Sequence, residues 1–206
     1  MELINLTAPF DRAHIFLERI PLKSEKTAYT GMVYHFRYGS MDTSYLDLPG
    51  HIAETDDGRH ARNSNLLDFY RRKAALLRIT PPAADYGITP EDLEKARNGR
   101  PWQEWMVINA LGKKPDGYEP SRRIYLTLDS VDYLARNGVK YLFSDAWESP
   151  RLDGVFLRLF DAGVSGICNL VNLDKLPDDR EFLLTMSFIP YPGEVTQIPV
   201  TVIAEI

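Results

Sequence analysis

Cysteine is nearly absent from this chain: its 206 residues include one, Cys168, beside four histidines. A single thiol excludes an intrachain disulfide and fits a reducing compartment. The same scarcity excludes a Cys-rich zinc motif. Long apolar runs are missing too. No stretch approaches the roughly 18 apolar residues that a transmembrane helix needs, so no membrane span is expected. Positive charge is in deficit: 24 Lys and Arg against 29 Asp and Glu leave a formal charge of −5. A mildly acidic chain without a basic stripe is a poor partner for nucleic acid or anionic lipid. The segment from Met1 to Thr7 carries an acid at Glu2 and no basic residue. It does not read as a secretory signal, and a cytoplasmic location is the expectation. Familiar catalytic signatures are absent as well: there is no G-x-G-x-x-G, P-loop, G-x-S-x-G or H-E-x-x-H.

What is present has the composition of a globular domain, 44% apolar and 26% charged. The length is about 1.4 times a typical domain of ~150 residues, and residues 1–206 are expected to form one domain. The polar stretch Gly112 to Arg122 reads as a surface loop, too short for a domain boundary. β-branched and aromatic content predicts strands at Gly31 to Tyr38, Ala75 to Ile79, Trp105 to Asn109, Lys140 to Ser144, Phe182 to Ile189 and Pro199 to Ala204. The run Met32 to Tyr38 alternates poorly, the pattern of a strand covered on both faces. Between the strands, Thr89-Pro90-Glu91-Asp92 is a helix start: a capping Thr, a Pro at the first position, and acids at the positive end of the dipole. That helix should stop at Asn98-Gly99. Two more are expected from Leu128 to Arg136 and from Gly154 to Ala162, and a short one from Leu66 to Arg72. Helices alternating with strands predict an α/β fold, with an antiparallel addition from the closing strands around Pro190 and Pro192.

Two stretches carry a family likeness: Asp47-Leu48-Pro49-Gly50-His51, and Gly163 to Pro177, which includes Cys168-Asn169-Leu170. Both resemble the cyclase family of metal-dependent hydrolases, to which bacterial kynurenine formamidase and isatin hydrolase belong. Supporting pieces lie in the family's order: Asn5-Leu6-Thr7, Ile88 to Leu93, Gly138 to Asp145, and Pro190-Tyr191-Pro192-Gly193. The resemblance implies a single domain with a β-rich core and surrounding helices, a homodimer or higher homo-oligomer, and a small-molecule substrate. The family's metal loop, H-x-G-T-H-x-D-x-P-x-H, falls on Met41 to His51, where Asp47, Pro49 and His51 match. Met41 and Tyr45 stand at the two metal-ligating histidines, Thr43 at the glycine and Ser44 at the threonine. The later ligand positions hold Phe156 and Cys168. Four of the five metal ligands that the resemblance implies are therefore replaced.

Zinc or manganese needs nitrogen, oxygen or thiolate donors, and Met and Phe supply none of them well. The expected site is accordingly metal-free, with His51 as general acid or base, Asp47 as its orienter and Tyr45 as a hydrogen-bond donor. Ser44 and Trp147 are candidates to contact substrate, and Tyr34, Phe36 and Tyr38 would equally suit a flat ring or a core. The alternative is zinc or manganese held by Asp47, His51 and Cys168 in a rebuilt amide hydrolase related to arylformamidase. A third possibility keeps the scaffold only for binding a small molecule or a protein, with the old cavity plugged by Met41 and Phe156. The metal-free reading implies cyclisation, dehydration or isomerisation of a small molecule.

Overall fold

The central strands of this protein are apolar through their middles because both of their faces are covered there. The structure, a computed structural model, describes residues 1–10, 13–113 and 122–206. Four parallel-paired strands form the middle of a sheet: β5 (Arg72–Arg78), β7 (Trp105–Asn109), β9 (Tyr141–Ser144) and β10 (Ser165–Cys168). Along them, Ala74, Leu76, Trp105, Val107, Phe143 and Ile167 enter one core, and Ala75, Leu77, Met106, Ile108 and Leu142 enter the other. Alternate side chains on a strand point to opposite faces, so one sheet separates two cores.

Antiparallel strands extend the sheet on both sides. On one side lie β11 (Phe182–Ser187), β13 (Thr201–Glu205) and β1 (Leu3–Asn5); on the other, β4 (Tyr45–Asp47) and β12 (Gln197–Pro199). Among the described residues the order is β1-β13-β11-β5-β7-β9-β10-β4-β12. The sheet curls into a half-barrel. Thr7, just after β1, bridges to Leu170 beyond β10, and the Val200 N–H donates to the Ser44 carbonyl at 2.9 Å. Leu6, Phe69, Trp105, Phe143, Phe188 and Val202 fill its hollow. A small parallel pair, β6 (Tyr86–Ile88) and β8 (Ile124–Leu126), stands apart.

Helices α1 (Pro90–Arg97), α2 (Leu128–Arg136) and α3 (Val155–Asp161) pack on the convex face through Leu93, Val131, Leu134, Leu159 and Phe160. Their ends follow ordinary capping chemistry. Asp92 accepts from the Thr89 N–H at 2.9 Å while Thr89 accepts from the Asp92 N–H, and Asn98 stops α1 in the left-handed region at φ 50°. At α3 the Glu148 carboxylate accepts from the N–H groups of Gly154 (3.3 Å) and Val155 (2.8 Å). The arrangement is a mixed α/β domain, as expected.

Four expectations need correction or limits. Residues Leu66 to Arg72 form no α-helix: Leu66–Phe69 is one 3₁₀ turn, the Asn65 side chain accepting from the Leu67 N–H. Arg71, at φ 49°, then turns the chain directly into β5. The strand expected from Pro199 to Ala204 is two, split where Val200 bonds Ser44. The expected loop at Gly112 to Arg122 lies largely outside the described residues, which omit 114–121. The largest difference is β3 (Ala28–Arg37). It pairs in unbroken register with β2 (His14–Lys23), which the sequence reading missed, and no residue of either strand is buried. The apolar content that suggested cover on both faces belongs to an arm standing clear of the domain.

Candidate functional site

The side chains of β4, β10 and β12 sort by the two-residue period of strands. Leu46, Ile167 and Ile198 turn into the half-barrel core. Tyr45, Asp47, Cys168 and Gln197 take the alternate positions. Register sets Tyr45 opposite Cys168 and Pro199, and Asp47 opposite Gly166 and Gln197. The chain leaving β4 makes a 3₁₀ turn over Pro49–His51, begun by the restricted backbone of Pro49. That turn brings His51 back beside the strand, edge-on to Phe160 of α3 at 6.5 Å between ring centres.

Asp47 is 3% exposed. Its Oδ1 accepts from the Gln197 side-chain amide at 2.9 Å, and its Oδ2 faces the Cys168 thiol at 3.9 Å. The same Gln197 nitrogen lies 3.3 Å from His51 Nε2. The Ser40 hydroxyl donates to Gln197 Oε1, which fixes the amide with its NH₂ group toward Asp47 and His51. His51 Nε2 is then an acceptor, so its proton sits on Nδ1. A donor amide thus joins a buried carboxylate to an exposed imidazole.

Burial raises the Asp47 carboxyl from its ordinary 3.8 to about 6, against the opposing pull of His51 and of hydrogen bonds from Gln197 and Cys168. Burial likewise pushes the Cys168 thiol well above its usual range. The neighbouring Asp47 charge adds to this, and hydrogen bonding from Tyr45 opposes it. A thiol so placed is no nucleophile. Cys168 is expected to resist Ellman's reagent at pH 8 in the folded protein and to release one equivalent of chromophore in denaturant. Rapid full labelling of the native protein would show the thiol to be accessible and ionised.

The remaining candidates fall in different places. Ser44 is wholly buried, accepting from the Ala8 N–H at 2.8 Å and donating to the Asn169 carbonyl at 2.7 Å. It ties three segments together beneath the site. Trp147 stacks on Phe156 at 5.1 Å, its indole N–H donating to the Ser144 carbonyl at 3.0 Å. The pair lies over Gly166, where a Cβ would come within 3.2 Å of the indole ring. Phe156 therefore fills space beside the site, but Met41 is 56% exposed and plugs no cavity. Tyr34 and Phe36 sit on the exposed arm, and Tyr38 shares a 2.8 Å hydrogen bond with Tyr191. Gln197 and Ser40 were not foreseen. No local pattern marks them, because the pairing of β12 with β4 joins residues 150 apart.

Among the described residues, no three His, Cys, Asp or Glu side chains gather to hold a metal ion. The donor chemistry of the site also disfavours one. The Gln197 NH₂ group lies between Asp47 and His51, and N–H donors there repel a cation. The third donor, Cys168, is buried with its sulfur 3.9 Å from Asp47 Oδ2. Zinc requires deprotonated donors converging at about 2.0–2.3 Å, and as arranged this set does not fit it.

Comparison with known proteins places the fold. The profile of the family Cyclase, described as "Putative cyclase", matches residues 4–149. No curated protein matches the chain. Isatin hydrolase A from Labrenzia aggregata, solved with benzyl benzoate, superposes with TM-score 0.70 at 14% identity, covering 98% of this chain and 93% of that one. A structure described as a "predicted metal-dependent hydrolase" from Bacillus stearothermophilus gives 0.66 at 16%, covering 98% and 97%. An isatin hydrolase bound to thioisatinate gives 0.68 at 14%, covering 98% and 91%. At such identities the likeness is one of fold.

Proposed function

The chain belongs to the cyclase family, and from that premise we propose that it is a metal-independent acid–base catalyst of a small molecule, carrying out cyclisation, dehydration or isomerisation. One observation carries the proposal: the Gln197 amide, oriented by Ser40, bridges Asp47 and His51 where a cation would need open lone pairs. In this reading His51 is the catalytic residue. Its exposed edge offers the Nδ1 proton to a substrate oxygen. Asp47 is a positioning residue: it holds Gln197, which holds the imidazole with its Nδ1–H free to bond a substrate oxygen. Tyr45 supplies a second hydrogen bond from the neighbouring strand position, Ser44 braces the loop, and Trp147 walls one side. The substrate is small, and the protein acts in the cytoplasm.

The test begins with metal. Protein purified without chelator or a His tag, then incubated with zinc and manganese, is expected to hold no stoichiometric metal by elemental mass spectrometry. It is also expected to hydrolyse neither isatin nor N-formylkynurenine in a metal-dependent way. Near-stoichiometric metal with chelator-sensitive hydrolysis of either compound would overturn the proposal in favour of a rebuilt hydrolase centre on Asp47, His51 and Cys168. For a substrate found by screening metabolite mixtures, His51→Ala is expected to lower turnover by roughly 10²–10⁴-fold. Because His51 is exposed, stability should change by no more than about 0.5 kcal/mol. Full turnover in that variant would remove His51 from the chemistry. A ligand bound by the wild type but never converted would leave a binding protein on the family scaffold.

A further inference from the structure

Where the end of β3 meets β11 and β13, the surface opens into a groove of about 1360 Å³. Its walls are apolar: Phe10, Phe36, Phe188, Ile189 and Ile203 face it. Phe36 is 63% exposed and Ile189 64%, so this wall is wetted in the bare chain. Contiguous apolar surface of that kind marks binding grooves. The volume exceeds the roughly 300–1,000 Å³ of an ordinary small-molecule site, so a single ring would leave much of the wall in water.

The polar groups in the groove are few, and they are donors without acceptors. Arg37 is the one charged residue of the lining, in a chain whose formal charge is −5. It is exposed, and no carboxylate pairs with it among the described residues. Tyr38 and Tyr191 also line the groove and share one hydrogen bond of 2.8 Å. Two hydroxyls carry two protons, and that bond uses one. The other proton has no protein acceptor among the described residues. A lone guanidinium and a spare O–H set in apolar walls complement an apolar body with a single anionic oxygen head. The planar fork of Arg matches a carboxylate. A phosphate monoester, at about −1.5 to −2, would keep charge that one cation cannot balance.

We propose that this groove binds a long-chain aliphatic monocarboxylate, its chain laid against the Phe10, Phe36 and Phe188 wall and its carboxylate held by Arg37, with the spare tyrosine proton as a further donor. The groove shares no lining residue with the Asp47–His51 site, so this second site does not depend on the proposed chemistry.

Isothermal titration of the full chain with octanoate, decanoate and dodecanoate should show saturable binding. Affinity should rise about 10-fold for each two carbons, since each buried methylene contributes roughly 3–4-fold. Arg37→Gln should weaken decanoate at least about 10-fold and leave 1-decanol within about twofold of the wild type. Ile189→Asp places a like charge on the wall at an exposed position. It should weaken decanoate by at least about 10-fold with an unchanged melting temperature. No saturable binding below about 1 mM, decanoate bound no better than decanol, or indifference to Arg37→Gln would each overturn the proposal. So would tighter binding of decyl phosphate, or decanoate binding lost as protein concentration rises because a second copy of the chain fills the groove.

Discussion

Asp47→Asn is expected to make the protein more stable at neutral pH and less active. The carboxyl titrates near 6 in the folded protein against 3.8 ordinarily. Between those values the folded state holds a proton that the unfolded chain has released. Stability therefore rises as pH falls from 7 toward 4, and the buried charge costs up to about 3 kcal/mol above pH 6. Asn keeps an acceptor for Gln197 and removes the charge. The variant should gain on the order of 1–3 kcal/mol at pH 7, a melting temperature higher by roughly 3–10 °C. Its stability should hardly change between pH 4 and 7. Turnover should fall at least about tenfold, and any loss of rate as the wild type is acidified through pH 6 should vanish. A side chain retained at a cost in stability is the mark of a working group. A destabilised variant with the wild-type pH dependence would show that the carboxylate is structural.

Trp105→Ala should produce the largest loss of stability. Trp105 is 1% exposed at the centre of the half-barrel, with ring centres 5.1 Å from Phe143, 5.2 Å from Tyr141 and 6.2 Å from Phe69. It stands on a strand paired on both sides, so the sheet cannot collapse into the vacated space. Removing a buried indole costs about 3–5 kcal/mol, a large share of the 5–15 kcal/mol that holds a typical domain. Urea unfolding should show the midpoint shifted well down with little change in slope. A loss below about 1 kcal/mol would mean that the cluster repacks, and that the half-barrel core is looser than its contacts imply.

Local signals were readable where local physics decides. Thr89, Pro90 and Asp92 announced α1 because capping acts within four residues, and β7 lies where its apolar run placed it, Trp105–Asn109. Asp47 and His51 were marked by the likeness of their loop to the family's metal loop, and the structure joins both to Gln197. Gln197 and Ser40 were invisible, since their role depends on which strand lies beside β4. The β2–β3 arm misled for a related reason. Its apolar residues suggested cover on both faces, and among the described residues none covers them.

The pairing of β4 with β12 also bears on how the protein becomes competent. Closing a loop of about 150 residues costs entropy that no local contact repays, so such pairings form late in folding. The carboxylate emerges during synthesis 150 residues before the amide that couples it to the imidazole. Until β12 docks, the two groups are neighbours in sequence with nothing holding their protons in register. In the proposed reading, the Asp47–His51 pair is complete only once β12 has docked.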